Sequence, residues 1–115
     1  MLKISSAQMT KMAEIMRTRF ELAAVALLRR EYPDLTQKYP DEHLQRFVAQ
    51  GVESANAYGV VAVSDVEDWL RLMVRLGPGF DTNPRYGAIR QILMETELPP
   101  AYRLSQIADL LGAPP

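Results

Sequence analysis

The N-terminal stretch constrains this chain more than any other feature: its apolar side chains recur at three- and four-residue intervals until the first proline. Met9, Met12, Met16, Phe20, Ala23 and Leu27, with Ala13 and Ala24 beside them, fall on one stripe of an α-helix. Ser5 followed by Gln8 fits a capping box, and Ile4 with Met9 stands where a hydrophobic staple closes. Pro33 disfavours helical backbone at Tyr32, so the spacing predicts a helix over residues 6–31. Such a helix is roughly 39 Å long at 1.5 Å per residue. A globule of this chain's 115 residues is only about 35 Å across. The helix must therefore bend, overhang, or pack along something else.

The remainder reads as shorter helices separated by proline and glycine. Residues 33–39 form a connector with room for a helical turn. Pro40 suits the first position of a second helix, and Asp41 and Glu42 complement its positive end. Leu44, Phe47, Val48, Gly51, Val52, Ala55 and Tyr58 make its stripe, and Gly59 is its C-terminal cap. Gly51 and Ala55, one turn apart, let another helix approach closely. Val60-Val61-Ala62-Val63 has strand propensity but no second strand to pair with, so it is expected as a buried connector. A capping-box pattern, Ser64 with Glu67, opens a third helix carrying Val66, Trp69, Leu70, Met73 and Leu76, which ends at Gly77-Pro78. Asn83 caps a fourth helix with Pro84 at its first position, and Tyr86, Ile89, Ile92 and Leu93 form its apolar face. Pro99-Pro100 separates a last helix with Tyr102, Leu104, Ile107, Leu110 and Leu111, ended by Gly112. The expected fold is all-α: a single compact bundle of about five helices with a long N-terminal helix, residues 1–115 forming one domain.

Composition narrows the functional classes. A net charge of −1, from 13 basic and 14 acidic residues, lacks the basic excess that displaces counterions from nucleic-acid phosphates. With no cysteine, disulfides, thiolate metal sites and cysteine nucleophiles are all excluded, and the balance leans towards a reducing, cytoplasmic setting. The N-terminus lacks the apolar stretch of a signal peptide. The longest apolar run, residues 22–28, rises only about 10 Å, a third of a bilayer's hydrocarbon thickness.

No catalytic constellation stands out. His43 is the sole histidine, and its helical neighbours Tyr39, Pro40, Arg46 and Phe47 include no metal-binding carboxylate. Asp65, Glu67 and Asp68 cluster where the macrodipole of a helix N-terminus favours negative side chains. The 77–84 loop lacks the Lys-Ser/Thr end of a phosphate-binding loop. Neither catalytic, cofactor nor metal-binding residues are assigned. Two places suit a protein partner instead. The 22–28 run is apolar on every side and must be surrounded by its own fold or by another molecule. The 77–84 loop is a shaped turn between rigid helices, where recognition elements often lie. Phe80 is either the loop's internal plug or offered to a partner, and Asp81 suits an Asx turn. Candidate partner-contacting residues are therefore Leu22, Val25, Arg29, Phe80, Asp81 and Arg85.

Residues 104–112 resemble the first helix and turn of a helix-turn-helix, but the recognition helix that should follow is missing before Pro115. Ala55-Asn56-Ala57-Tyr58-Gly59, Ser64-Asp65-Val66 and Leu76-Gly77-Pro78-Gly79-Phe80-Asp81 together resemble a family of small helical bacterial proteins encoded beside type VI secretion spike and effector genes. The similarity runs from the Arg29-Arg30 region to Ile92-Leu93. It implies a non-enzymatic protein that binds another protein: an adaptor or co-chaperone for an effector or spike. The alternatives are an immunity protein that neutralises a cognate toxin and a C-terminally truncated DNA-binding regulator. A protein partner, self-association into a homodimer left open, and neither nucleic acid nor membrane complete the expectation.

Overall fold

The computed structural model describes residues 6–112, and side chains over residues 11–112. It is all-α. Its elements are α1 (Ser6–Glu31), α2 (Pro33–Thr36), α3 (Asp41–Ala57), α4 (Val63–Leu76), α5 (Gly87–Met94) and α6 (Pro100–Leu110). Two 3₁₀ turns, Phe80–Thr82 and Pro84–Tyr86, precede α5. The connector expected to hold a helical turn holds α2, which makes six α-helices among the described residues. Contacts divide the chain into two compact units, Met1–Val48 and Ala49–Pro115.

In the first unit, α1 has the bounds that its periodicity and Pro33 dictate. The capping box and staple around Ser5 and Ile4 lie outside the described residues. Pro33 occupies the first position of α2, where its missing N–H costs nothing. Thr36 is buried and donates its hydroxyl to the Tyr32 carbonyl at 2.8 Å. α1 differs from the single stripe expected of it. Its C-terminal half buries Ala24, Val25, Leu27 and Leu28, whereas residues 11–19 are exposed throughout. The 22–28 run is thus mixed, with Leu22, Ala23 and Ala26 facing outward.

The second unit is organised by its glycines. α3 ends in a Schellman turn: the Val60 N–H reaches the Ala55 carbonyl and the Gly59 N–H the Asn56 carbonyl, both at 3.0 Å. Gly59 has φ 79°, a left-handed conformation in which a Cβ is strained. The turn tucks Val60 inside. Val61, Ala62 and Val63 are exposed, which corrects the buried-connector expectation for three of its four residues. The capping box at Ser64 is also corrected. α4 starts two residues earlier than that box implies, at Val63, with Ala62 at the N-cap and no side-chain cap bond. Val66, Trp69, Leu70, Leu72 and Met73 are buried along α4, and Gly77, with φ 97°, closes it by donating to the Met73 carbonyl. Asn83 does act as a cap, accepting the Arg85 N–H at 2.9 Å, but for the 3₁₀ turn ahead of α5. α5 buries Ile89 and Leu93, and α6 buries Leu104 and Ile107. α6 packs against both α4 and α5.

Candidate functional site

The six candidate residues divide between the two units, Leu22, Val25 and Arg29 in the first and Phe80, Asp81 and Arg85 in the second. Leu22 is 54% exposed and available to a partner. Val25 is buried, so its place among contact residues is corrected: it lies on the inward side of α1. Arg29 is engaged inside its own unit. Its Nε and Nη2 donate to Asp41 Oδ1 at 2.9 and 2.7 Å, Nη2 also to the Tyr39 carbonyl at 2.8 Å, and Nη1 to the Thr36 carbonyl at 3.1 Å. One guanidinium thereby fastens the end of α1 to the end of α2 and the start of α3, the multi-point use for which its planar fork is suited.

Of the two roles open to Phe80, the structure shows the plug. Its side chain is 1% exposed and lies 4.9 Å, centroid to centroid, from Trp69, which in turn lies 5.6 Å from Tyr58. These tilted ring pairs match the arrangement that aromatic quadrupoles favour. Asp81 is also turned inward, and in place of an Asx turn it accepts a hydrogen bond from the Tyr58 hydroxyl at 3.0 Å. Burial removes Phe80 and Asp81 from any docking surface. Arg85 is exposed, its guanidinium carbon 5.9 Å from the Tyr86 ring centre.

The 58–59 and 80–81 segments are thereby tied together. Tyr58 and Gly59 close α3, Asp81 bonds back to Tyr58, and Phe80 reaches Tyr58 through the Trp69 ring between them. Burial raises the Tyr58 phenol above its ordinary value of 10.0. The hydrogen bond to Asp81 and the Asp81 charge act in the same direction, and Arg90 opposes them. Trp69 Nε1 is buried and has no acceptor among the described residues.

Two features escaped sequence reasoning. Arg103 is 2% exposed and donates to the Leu93 carbonyl at 2.9 Å and the Leu98 carbonyl at 3.0 Å. A cation there answers the negative end of α5. Its signal was present: Arg103 stands four residues before Ile107, on the stripe where an apolar residue was due. The second feature is the outward face of α1, where Met12, Ile15, Met16 and Leu22 are 48–70% exposed.

Among the described residues, no group of three or more His, Asp or Glu side chains is placed to hold a metal ion. His43 is exposed and stacks on Tyr39 at 4.8 Å. Of the acidic cluster expected at a helix start, only Asp65 lies in the first turn of α4, and Asp68 is paired instead with Arg71 at 2.8 Å. No helix among the described residues is long and apolar enough to cross a membrane. Fold and surface thus define an all-α protein with an exposed apolar helix face. We found no match to the chain among protein-family models, curated proteins or solved structures.

Proposed function

We propose that this is a non-catalytic interaction protein, an adaptor or co-chaperone for a type VI secretion effector or spike. The observation that supports this most is the outward face of α1, which leaves four large apolar side chains roughly half or more exposed in succession along one helix. Single exposed apolar residues are normal on a soluble protein, but a contiguous row marks an interaction surface. The secretion-linked part of the reading rests on the Tyr58-Gly59 and Leu76-to-Asp81 resemblance. The non-catalytic part is supported by where the polar side chains go: Asp81 to Tyr58, Asp68 to Arg71, and Arg29 and Arg103 to backbone carbonyls.

An immunity role draws less from the same surface. It needs acidic groups such as Asp65, Glu67, Asp68 and Asp81 on offer to a basic cleft, and two of these four, Asp68 and Asp81, are already engaged. Co-expression with the products of neighbouring genes tests the proposal. An adaptor co-purifies with an effector or spike component in a fixed ratio and does not protect cells from the effector's toxicity. Recovery of the protein alone in every combination overturns the adaptor reading, and protection in place of loading replaces it with immunity.

A further inference from the structure

The outward face of α1 has a charge pattern as well as an apolar one. At 3.6 residues per turn, Met12, Ile15, Met16, Arg19, Leu22, Ala23 and Ala26 share one arc, opposite the buried Ala24 and Leu28. All seven are exposed. Arg19 sits in the middle of the row, Lys11 borders its start and Arg30 continues its end. Among the described residues, neither Lys11 nor Arg19 enters an ion pair or a side-chain hydrogen bond.

The acidic residues of α1 lie elsewhere. Glu21 faces the opposite side and pairs with Arg17 at 3.8 Å. Glu14 borders Lys11 on the far side of Ile15, where Lys11, Glu14, Ile15, Thr18 and Arg19 line a shallow open groove. No carboxylate stands within the apolar arc itself, so its central charge is positive and unanswered.

This pattern selects among occupants. A second copy paired antiparallel across the midpoint of residues 12–22 would set the two Arg19 side chains only about 6 Å apart along the axis, with no carboxylate in the face to offset them. An anionic lipid surface favours a helix whose polar face is basic, whereas the polar side of α1 carries Glu14 and Glu21. A helix with apolar residues at three- and four-residue spacing and a flanking carboxylate satisfies both parts of the face, and the small Ala23 and Ala26 let its backbone approach closely.

We propose that the exposed face of α1 formed by Met12, Ile15, Met16, Arg19 and Leu22 docks an acidic amphipathic helix of a different protein. The partner's apolar stripe lies on the methionines, and one of its carboxylates pairs with Arg19. This inference rests on the interaction-protein reading and names the chemistry of the partner for that role.

The test uses the full chain and two fluorescent helical peptides with the same leucine stripe, one flanked by glutamates and one by lysines. Fluorescence anisotropy is expected to show saturable binding of the glutamate peptide at least about tenfold tighter than the lysine peptide, the scale of one favourable charge pair. Arg19→Glu is expected to invert that preference, and Met16→Asp to weaken both peptides. The comparison between peptides on the unaltered protein stands even where a variant folds poorly. Equal affinities, or no saturation up to about 1 mM, overturn the proposal. So does a concentration-dependent dimer that Met16→Asp disrupts, which makes a second copy the occupant. Binding to phosphatidylserine vesicles in preference to both peptides makes a lipid surface the occupant and overturns it equally. An effector or spike that co-purifies undiminished with the Met16→Asp, Arg19→Glu double variant removes this face while leaving the adaptor role intact. Selective peptide binding with no such co-purification does the reverse.

Discussion

Replacing Gly51 with alanine tests how closely α3 and α4 approach. In an open helix interior this substitution stabilises by about 1 kcal/mol, because glycine loses more backbone freedom on folding. At Gly51 an added Cβ meets Leu70 Cδ2 at 2.5 Å and Met73 Sδ at 2.6 Å. Ordinary carbon contacts lie near 3.5–4.0 Å, so both side chains must give by roughly 1 Å. Leu70 and Met73 are 0% and 2% exposed, which leaves little room for that movement. Overpacking of this kind costs about 1–3 kcal/mol. Set against the propensity gain, Gly51→Ala is expected to destabilise by about 1 kcal/mol, and Gly51→Val by about 3 kcal/mol. Urea unfolding reads the difference as a lower midpoint at unchanged slope. A double-mutant cycle isolates the contact: with Met73→Ala in the background, Gly51→Ala is expected to become neutral or stabilising, a coupling of about 1–2 kcal/mol. A stabilised Gly51→Ala single variant, or an identical penalty in both backgrounds, refutes the close approach.

Arg103→Met leaves the Leu93 and Leu98 carbonyls without their charged donor and is expected to cost about 3 kcal/mol. Thermal unfolding should show a drop of more than 10 °C at roughly 4 °C per kcal/mol for a chain of this size, with Arg103→Lys recovering part of it. Phe80→Ala empties the space against Trp69 and is expected to cost about 3–5 kcal/mol, measured by chemical denaturation alongside loss of the near-ultraviolet dichroism of the indole. Because the folded Tyr58 phenol titrates above its unfolded value, its share of stability is fully present below the unfolded pKa and is lost as pH rises through the folded one. In a tyrosinate absorbance titration one of the five tyrosines should ionise late, and Tyr58→Phe should abolish that step.

The helix boundaries were legible where rigid residues punctuate the pattern. Pro33 sets the end of α1, Pro40 precedes α3, and Gly59 and Gly77 close α3 and α4. The close-approach role of Gly51 was legible too, because a small residue on an apolar stripe has few other uses. The start of α4 was not, since Ser64-Asp65-Val66-Glu67 supplies a good local cap that the backbone passes over by beginning at Val63. What α1 does with its apolar residues was only half legible. Periodicity locates a stripe, but apolar side chains recur around so much of this helix that spacing alone does not separate the side that packs from the side left outward. Asp81 was read through its nearest neighbours in sequence, whereas its hydrogen-bond partner Tyr58 lies 23 residues away. Only the folded chain brings such pairs together.

The Arg29 clamp has a consequence in time. All of its acceptors, on Thr36, Tyr39 and Asp41, lie within 12 residues of the guanidinium. Closing a segment of that size takes on the order of 10–100 ns, while a ribosome adds only about 5–20 residues per second. The corner between α1 and α3 can therefore set as soon as Asp41 leaves the exit tunnel, before α4 has emerged from it.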